Sequence, residues 1–111
     1  MDTWRKLNHF SFIPAPGTCK EWLDEGATVD GVYRLYLEGW GFANVYCDMT
    51  NGGWILFQRN LFPGTTFFTR NWEAFKTGFG DLTQSFWMGN ELLHFISKKM
   101  GSMEFFVQLL D

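Results

Sequence analysis

The chain has 111 residues, enough for one small domain and too few for two. Apolar residues make up 46% and charged residues 19%, a balance that excludes a disordered chain and predicts a globular one. Net charge is −3, Lys and Arg are scattered, and no apolar run reaches about 18 residues. This excludes both a membrane-spanning helix and the concentrated basic surface needed by nucleic acids or anionic membranes.

Residues 1–17 show no clean period and end in Pro14-Ala15-Pro16-Gly17, a stiff segment closed by a turn residue, so they read as a lead-in outside the core. Met1 to Phe12 carries Asp2, Arg5, Lys6 and His9, and lacks the apolar stretch and small-residue cleavage site of a secretory signal. If the protein is exported, the sequence is then expected to be processed, incomplete or re-initiated. Thr18-Cys19-Lys20-Glu21 has the form of a capping box, predicting a short helix that stops at Gly26. Gly31 to Leu37, rich in β-branched and aromatic residues, predicts a first strand, followed by turn chemistry at Glu38-Gly39-Trp40-Gly41. Asn44 to Thr50 predicts a second strand, Asn51-Gly52 a type I′ turn, and Trp54 to Arg59 a third strand. One helix and an antiparallel meander result.

Residues 61–70 read as a loop around Pro63-Gly64. Asn71 is expected to cap a helix carrying Trp72 to Phe75, broken by Gly78 and Gly80. A last helix has Asn90 as its predicted cap, Glu91 in the first turn, Lys98 and Lys99 in the last, and Gly101 beyond. Leu92, Ile96 and Met100, with Leu93 beside them, form its predicted buried stripe. Met103 to Leu110 reads as a strand, and a hydrophobic strand there calls for sheet neighbours.

Six Trp, thirteen Phe and three Tyr give an aromatic share of 20%, for which core packing is the simpler reading than a ring-stacking ligand surface. Trp40 and Trp54 flank turns and could serve as sugar platforms, though capping the core is again simpler. Cys19 and Cys47 are compatible with two buried thiols or with one disulfide, and their number alone leaves both open. No HExxH, CxxC, GxSxG or EF-hand pattern occurs. His94 reads as a structural, hydrogen-bonded histidine, and Asp24-Glu25 as a solvated pair on the short helix. No catalytic, cofactor-binding or metal-ligating residue is assigned, and no enzyme is expected.

Several blocks together resemble a known family. Val45-Tyr46-Cys47-Asp48-Met49, Gly52-Gly53-Trp54 and Phe57-Gln58-Arg59 are similar to the VYCDM, GGGW and FQRR core of the fibrinogen C-terminal globular domain. Asn71-Trp72-Glu73 with Gly78-Phe79-Gly80-Asp81-Leu82, and Phe86-Trp87-Met88-Gly89-Asn90-Glu91 with His94, resemble its later blocks. Gly31-Val32-Tyr33 also fits, and the likeness runs from about residue 18 to 111. Two glycines stand where the family has three, Asn60 replaces its second Arg, and Gln84-Ser85 replaces its Gly-Glu.

The resemblance implies a secreted protein with a Cys19–Cys47 disulfide, a bridge that would stabilise by about 3.5 kcal/mol in the chain-entropy model. The implied fold is α+β: a first lobe over 18–60 and the start of a central sheet-and-helix lobe over 61–111. The family's calcium site and ligand pocket are expected in a C-terminal lobe absent from this sequence, so no cofactor or pocket residue is assigned. The implied function is non-enzymatic recognition, lectin-like and of innate-immunity type, with a glycan or acetylated ligand. A matrix or growth-factor-like module binding an extracellular protein or receptor is the alternative, as is a truncated product without activity of its own. Alone, the chain is expected to associate and to bind no acetylated sugar.

Overall fold

The computed structural model describes residues 15–62 and 64–101. The lead-in through Pro14, Pro63 and the predicted strand at 103–110 lie outside the described residues.

The first helix, α1 (Cys19–Asp24), starts as its sequence predicts. The Thr18 hydroxyl accepts the Glu21 N–H at 3.0 Å, while the Glu21 carboxylate reaches back to the Gly17 N–H at 2.9 Å. At six residues the helix is too short to persist on propensity alone, so tertiary contacts must hold it. It lies beside a three-stranded antiparallel sheet of β1 (Gly31–Leu37), β2 (Gly41–Asp48) and β3 (Trp54–Leu56), in the order β1-β2-β3. β1 is therefore an edge, which would leave its outward backbone groups open. Trp22 Nε1 donates to the Arg34 carbonyl at 3.0 Å, and the Tyr36 N–H donates to Pro16 O at 3.0 Å. Helix and lead-in thus close part of that edge.

Pairing of Leu35 with Ala43 and Tyr33 with Val45 sets the register. Leu35, Leu37, Ala43, Val45 and Cys47 fall on the inner face and are buried, with Phe86, Met88 and Ile96 from the second half in the same cluster. Complete burial of Leu35, Val45 and Phe86 contributes about 1.5–3 kcal/mol apiece. β2 begins three residues before its predicted start, because the backbone reverses within residues 38–40, with the Trp40 N–H on Leu37 O at 2.8 Å.

The connection after β2 is not the predicted type I′ turn. No non-glycine residue has positive φ among the described residues, so Asn51 does not adopt the conformation that turn requires; Gly52 and Gly53 do instead, at φ 114° and 89°. Side chains reshape the loop: Asp48 accepts from the Asn51 N–H, and Asp30 from the N–H groups of Met49 and Thr50.

The predicted third strand also divides. Trp54–Leu56 pairs with β2, Phe57 leaves the ladder and accepts the Met88 N–H at 2.9 Å, and β4 (Gln58–Arg59) joins a second sheet. That sheet, in the order β4-β6-β5, pairs β4 with β6 (Phe86–Trp87) and β6 with β5 (Phe79–Gly80). The backbone passes from the first sheet to the second at Phe57.

Helix α2 (Trp72–Thr77) is capped by Asn71, whose Oδ1 accepts the Ala74 N–H at 3.0 Å. Helix α3 (Asn90–Met100) differs from prediction: Asn90 is its first helical residue, and Gly89 stands at the cap without a side-chain bond. The backbone of Thr77 and Gly78 runs directly against Gly89, where a Cβ would lie 2.8 Å from Thr77 C. No Asn side chain fits there. Ile96 is buried and Leu92 half-buried as the stripe predicts, but Met100 is 39% exposed, so the stripe ends a turn early. The aromatic excess largely serves packing in this half: Phe67, Phe68, Phe75, Phe79 and Trp87 meet at centroid distances of 4.9–6.1 Å.

Two departures from the family pattern have local partners. Ser85, buried, accepts the Leu61 N–H on its hydroxyl at 2.9 Å, and Asn60 Oδ1 accepts the Phe62 N–H at 3.1 Å.

Candidate functional site

The structure joins Cys19 and Cys47, with a Cα–Cα distance of 5.5 Å. Both are fully buried, and the bridge ties the first turn of α1 to the inner face of β2. At the same end of the sheet, Asp30 anchors the β2–β3 loop. Its carboxylate accepts the Met49 N–H at 2.7 Å, the Thr50 N–H at 2.8 Å and the Thr50 hydroxyl at 3.1 Å. No sequence pattern marked Asp30, because its partners lie about twenty residues away.

The Thr50 N–H chiefly lowers the Asp30 pKa; loss of solvation opposes it, and the Thr50 hydroxyl, the Met49 N–H and the charge of Arg59 add to the lowering. A depressed carboxylate contributes stability above its unfolded pKa and loses it as pH falls through the folded one. Asp30→Ala should therefore cost on the order of 1 kcal/mol at neutral pH, a figure already reduced for an exposed site. The difference from wild type should shrink as pH drops below the ordinary carboxylate range. Urea unfolding of both proteins across that range measures it; a pH-independent difference would rule out the ionised anchor.

The outer face of the first sheet carries a polar and aromatic array. The register sets Tyr36 opposite Phe42, Arg34 opposite Asn44 and Val32 opposite Tyr46. The Arg34 guanidinium lies 3.7 Å above the Phe42 ring, which Tyr36 meets edge-on at 5.3 Å. Arg59 stands 4.1 Å over Tyr46 and donates to Leu82 O. Among the described residues the ion pairs are Lys20–Asp24 and Lys76–Glu91, so neither guanidinium meets a carboxylate at salt-bridge distance. Phe42 remains 45% exposed. Rings with stacked guanidiniums and a nearby amide are the chemistry of interface anchors.

The two tryptophans singled out as sugar platforms do not come together. Trp40 lies in the β1–β2 turn and Trp54 pairs with Asp48 at the opposite end of β2, about 23 Å away at strand rise. Trp40, 43% exposed, packs on Phe95 at 5.3 Å, and Trp54 Nε1 donates to Asn51 O. Sequence reading passed over the most exposed ring among the described residues, Trp72, which is 69% accessible and has Lys76 Nζ 5.3 Å from its centroid. Only the tertiary structure reveals which face of that helix is turned outward.

A cleft of about 210 Å³ lies between the layers, lined by Asn44, Phe79, Leu82, Trp87 and Leu92 among others. That is below the roughly 300–1,000 Å³ of ligand clefts. Asp24 pairs with Lys20 at 2.6 Å and, like Glu25, faces solvent. His94 is exposed on α3 and hydrogen-bonds to no described residue, in contrast to the structural histidine expected, because that helix turns Leu92 and Ile96 inward and His94 lies on the opposite side. Among the described residues no group of three or more His, Cys, Asp or Glu could hold a metal ion. No described helix is long and apolar enough to cross a membrane.

A disulfide tying a capped helix to an antiparallel meander, followed by a small sheet with two helices, defines an α+β domain of the fibrinogen-like kind. The protein belongs to the family of the C-terminal globular domain of fibrinogen beta and gamma chains, which matches residues 15–111. It is similar to veficolin-1 of Varanus komodoensis, 44% identical over 71% of this sequence and 36% of the relative. Against human ficolin-3 the identity is 41%, over 86% of this sequence and 32% of the relative. It therefore spans about a third of the length of these curated relatives. Among solved structures it resembles the fibrinogen-like globe domain of human ANGPTL2, with a TM-score of 0.67 and 31% identity over 76% of this sequence and 40% of that one. It also resembles lamprey fibrin D-dimer complexed with a Gly-His-Arg-Pro-amide peptide, with a TM-score of 0.65 and 33% identity over 77% of this sequence and 28% of that one. Families built on this domain are generally non-enzymatic.

Proposed function

We propose that this protein is the disulfide-held framework part of an extracellular, non-enzymatic recognition domain of lectin-like, innate-defence type, whose ligands are acetylated glycans. The observation that carries the reading is the identity of 41–44% to ficolin-type relatives over 71–86% of this sequence. The described residues suit a supporting role. Their cleft is small and their tryptophans are dispersed. The sugar pocket is then expected outside the third of the relatives' length that these residues match.

The test is a graft. Residues 15–111 replace the matched segment of human ficolin-3, and the oxidised product is screened on an array of acetylated and plain glycans with and without calcium. Selective, calcium-dependent binding by the graft, with none by the 111-residue protein, is the expected result. A soluble, folded graft that ignores acetylated glycans would sink the lectin reading, and saturable binding by the 111 residues alone would sink the framework assignment.

A second reading, protein recognition, is favoured by the outer sheet face, where Arg34 stacks on exposed Phe42 without a carboxylate partner among the described residues. The likeness to a globe of the ANGPTL2 type supports it as well. Under this reading the Arg34→Glu exchange abolishes partner binding and leaves glycan binding untouched.

A further inference from the structure

Of the asparagines in the sequence, only Asn51 is followed by glycine. In that pair the backbone nitrogen of the glycine is unshielded and can attack the neighbouring side-chain amide. The fold ties down both reacting groups. The Gly52 N–H is held on Met49 O at 3.2 Å. Asn51 Nδ2 donates to Asp48 Oδ2 at 2.9 Å, and the Asn51 N–H to Asp48 Oδ1 at 3.1 Å. Asn51 O accepts from Trp54 Nε1 at 2.8 Å, and the Gly53 N–H closes on Asp48 O at 2.9 Å. Attack requires the Gly52 nitrogen to surrender its proton and the Asn51 side chain to swing round, so these bonds must break first. Asn51 and Gly52 are nonetheless exposed, and water and hydroxide reach them.

The loop also rests on the helix that carries the bridge. A Cβ at Gly53 would stand 2.8 Å from Lys20 Cα and 3.4 Å from Cys19 C, so loop and helix backbones are in direct contact. Since α1 is too short to hold itself, that contact depends on the Cys19–Cys47 link.

We infer that Asn51 is a latent deamidation site, guarded by Asp48 and Met49 while the Cys19–Cys47 bridge is closed and released when it is reduced. In the reaction the Gly52 nitrogen loses its proton and bonds to Asn51 Cγ, and the Cγ–Nδ2 bond breaks. The departing nitrogen leaves as ammonia and a cyclic succinimide remains. Water then opens the ring at either carbonyl, giving aspartate or isoaspartate. One water is consumed and one ammonia released, with no change of oxidation state. The new carboxylate faces Asp48 where an N–H had donated, so the loop cannot close as before. The modification marks molecules that have opened.

The full-length protein is incubated in warm, mildly alkaline buffer, either oxidised or reduced with dithiothreitol and alkylated. Peptide mass mapping and isoaspartyl methyltransferase labelling follow Asn51, with the other asparagines as internal references. Conversion in the reduced protein should be about tenfold faster or more, reflecting the larger open population. Asp48→Ala should react several-fold faster than wild type while oxidised. Asp48→Asn, which keeps an acceptor for Asn51, should remain slow. Equal rates in the oxidised and reduced wild-type proteins, or no product in the reduced one, would overturn the proposal. An oxidised Asp48→Ala variant reacting as slowly as oxidised wild type would remove Asp48 as guard.

Discussion

Converting both Cys19 and Cys47 to serine should lower the stability of the protein by about 3.5 kcal/mol, a large share of the roughly 5–15 kcal/mol that holds a typical domain. The bridge spans a sequence separation of 28, so its removal returns a long loop to the unfolded ensemble. Two further effects act in the same direction. Both sulfurs are fully buried in the apolar cluster with Leu35, Val45 and Met49, so the serine hydroxyls would have to be desolvated there. Helix α1 would also lose its covalent tie, and with it the Trp22 bond that covers the edge of β1. Association through that uncovered edge should accompany the loss. Urea unfolding followed by far-ultraviolet circular dichroism, with sedimentation on the same samples, measures both effects. A change below about 1 kcal/mol would mean that the meander and helix cohere without the bridge.

Gly78→Ala should be comparably severe, about 3–5 kcal/mol, for a different reason. Gly78 ends α2 at φ 98° and ψ 155°, a region that side chains other than glycine's hardly enter, costing about 1–3 kcal/mol. A Cβ there would also sit 2.5 Å from Met88 O and 2.9 Å from Met88 C. The obstacle is backbone and cannot rotate away, so overpacking adds about 1–3 kcal/mol. Gly89 makes the reciprocal contact against Thr77, so Gly89→Ala should cost a similar amount. Because the two share one interface, the double variant should lose less than the sum of the single ones. Gly26→Ala is the control: its φ is 105°, but its Cβ would meet nothing within 4 Å, so the loss should be limited to backbone strain. Thermal unfolding of these variants decides the matter, and equal losses at residues 26 and 78 would show that close approach contributes nothing.

Where a structural choice depends on residues three or four positions apart, it was legible in the sequence. Thr18 and Glu21 start α1, Asn71 caps α2, and β1 runs over the predicted Gly31–Leu37. The family blocks were equally legible, as were the α+β class and the absence of a catalytic motif. The candidate surface was less so. Arg34 and Phe42 are eight residues apart, and only strand register stacks one on the other. Asp30 carried no signal for the same reason.

By itself the sequence determined the family, the first helix and hairpin, and the chemistry available at each turn, since all of these rest on near neighbours and alternation along the backbone. Tertiary structure decided which backbone groups were already taken. It moved the cap of α3 from Asn90 to Gly89, against which Thr77 and Gly78 press, and it split the 54–59 strand because Phe57 O was claimed by Met88. It refused the type I′ turn because Asp30 captures the amides of Met49 and Thr50 first. Each local preference was satisfiable alone; a partner distant in sequence changed the outcome by offering a better hydrogen bond or by leaving no room for a side chain.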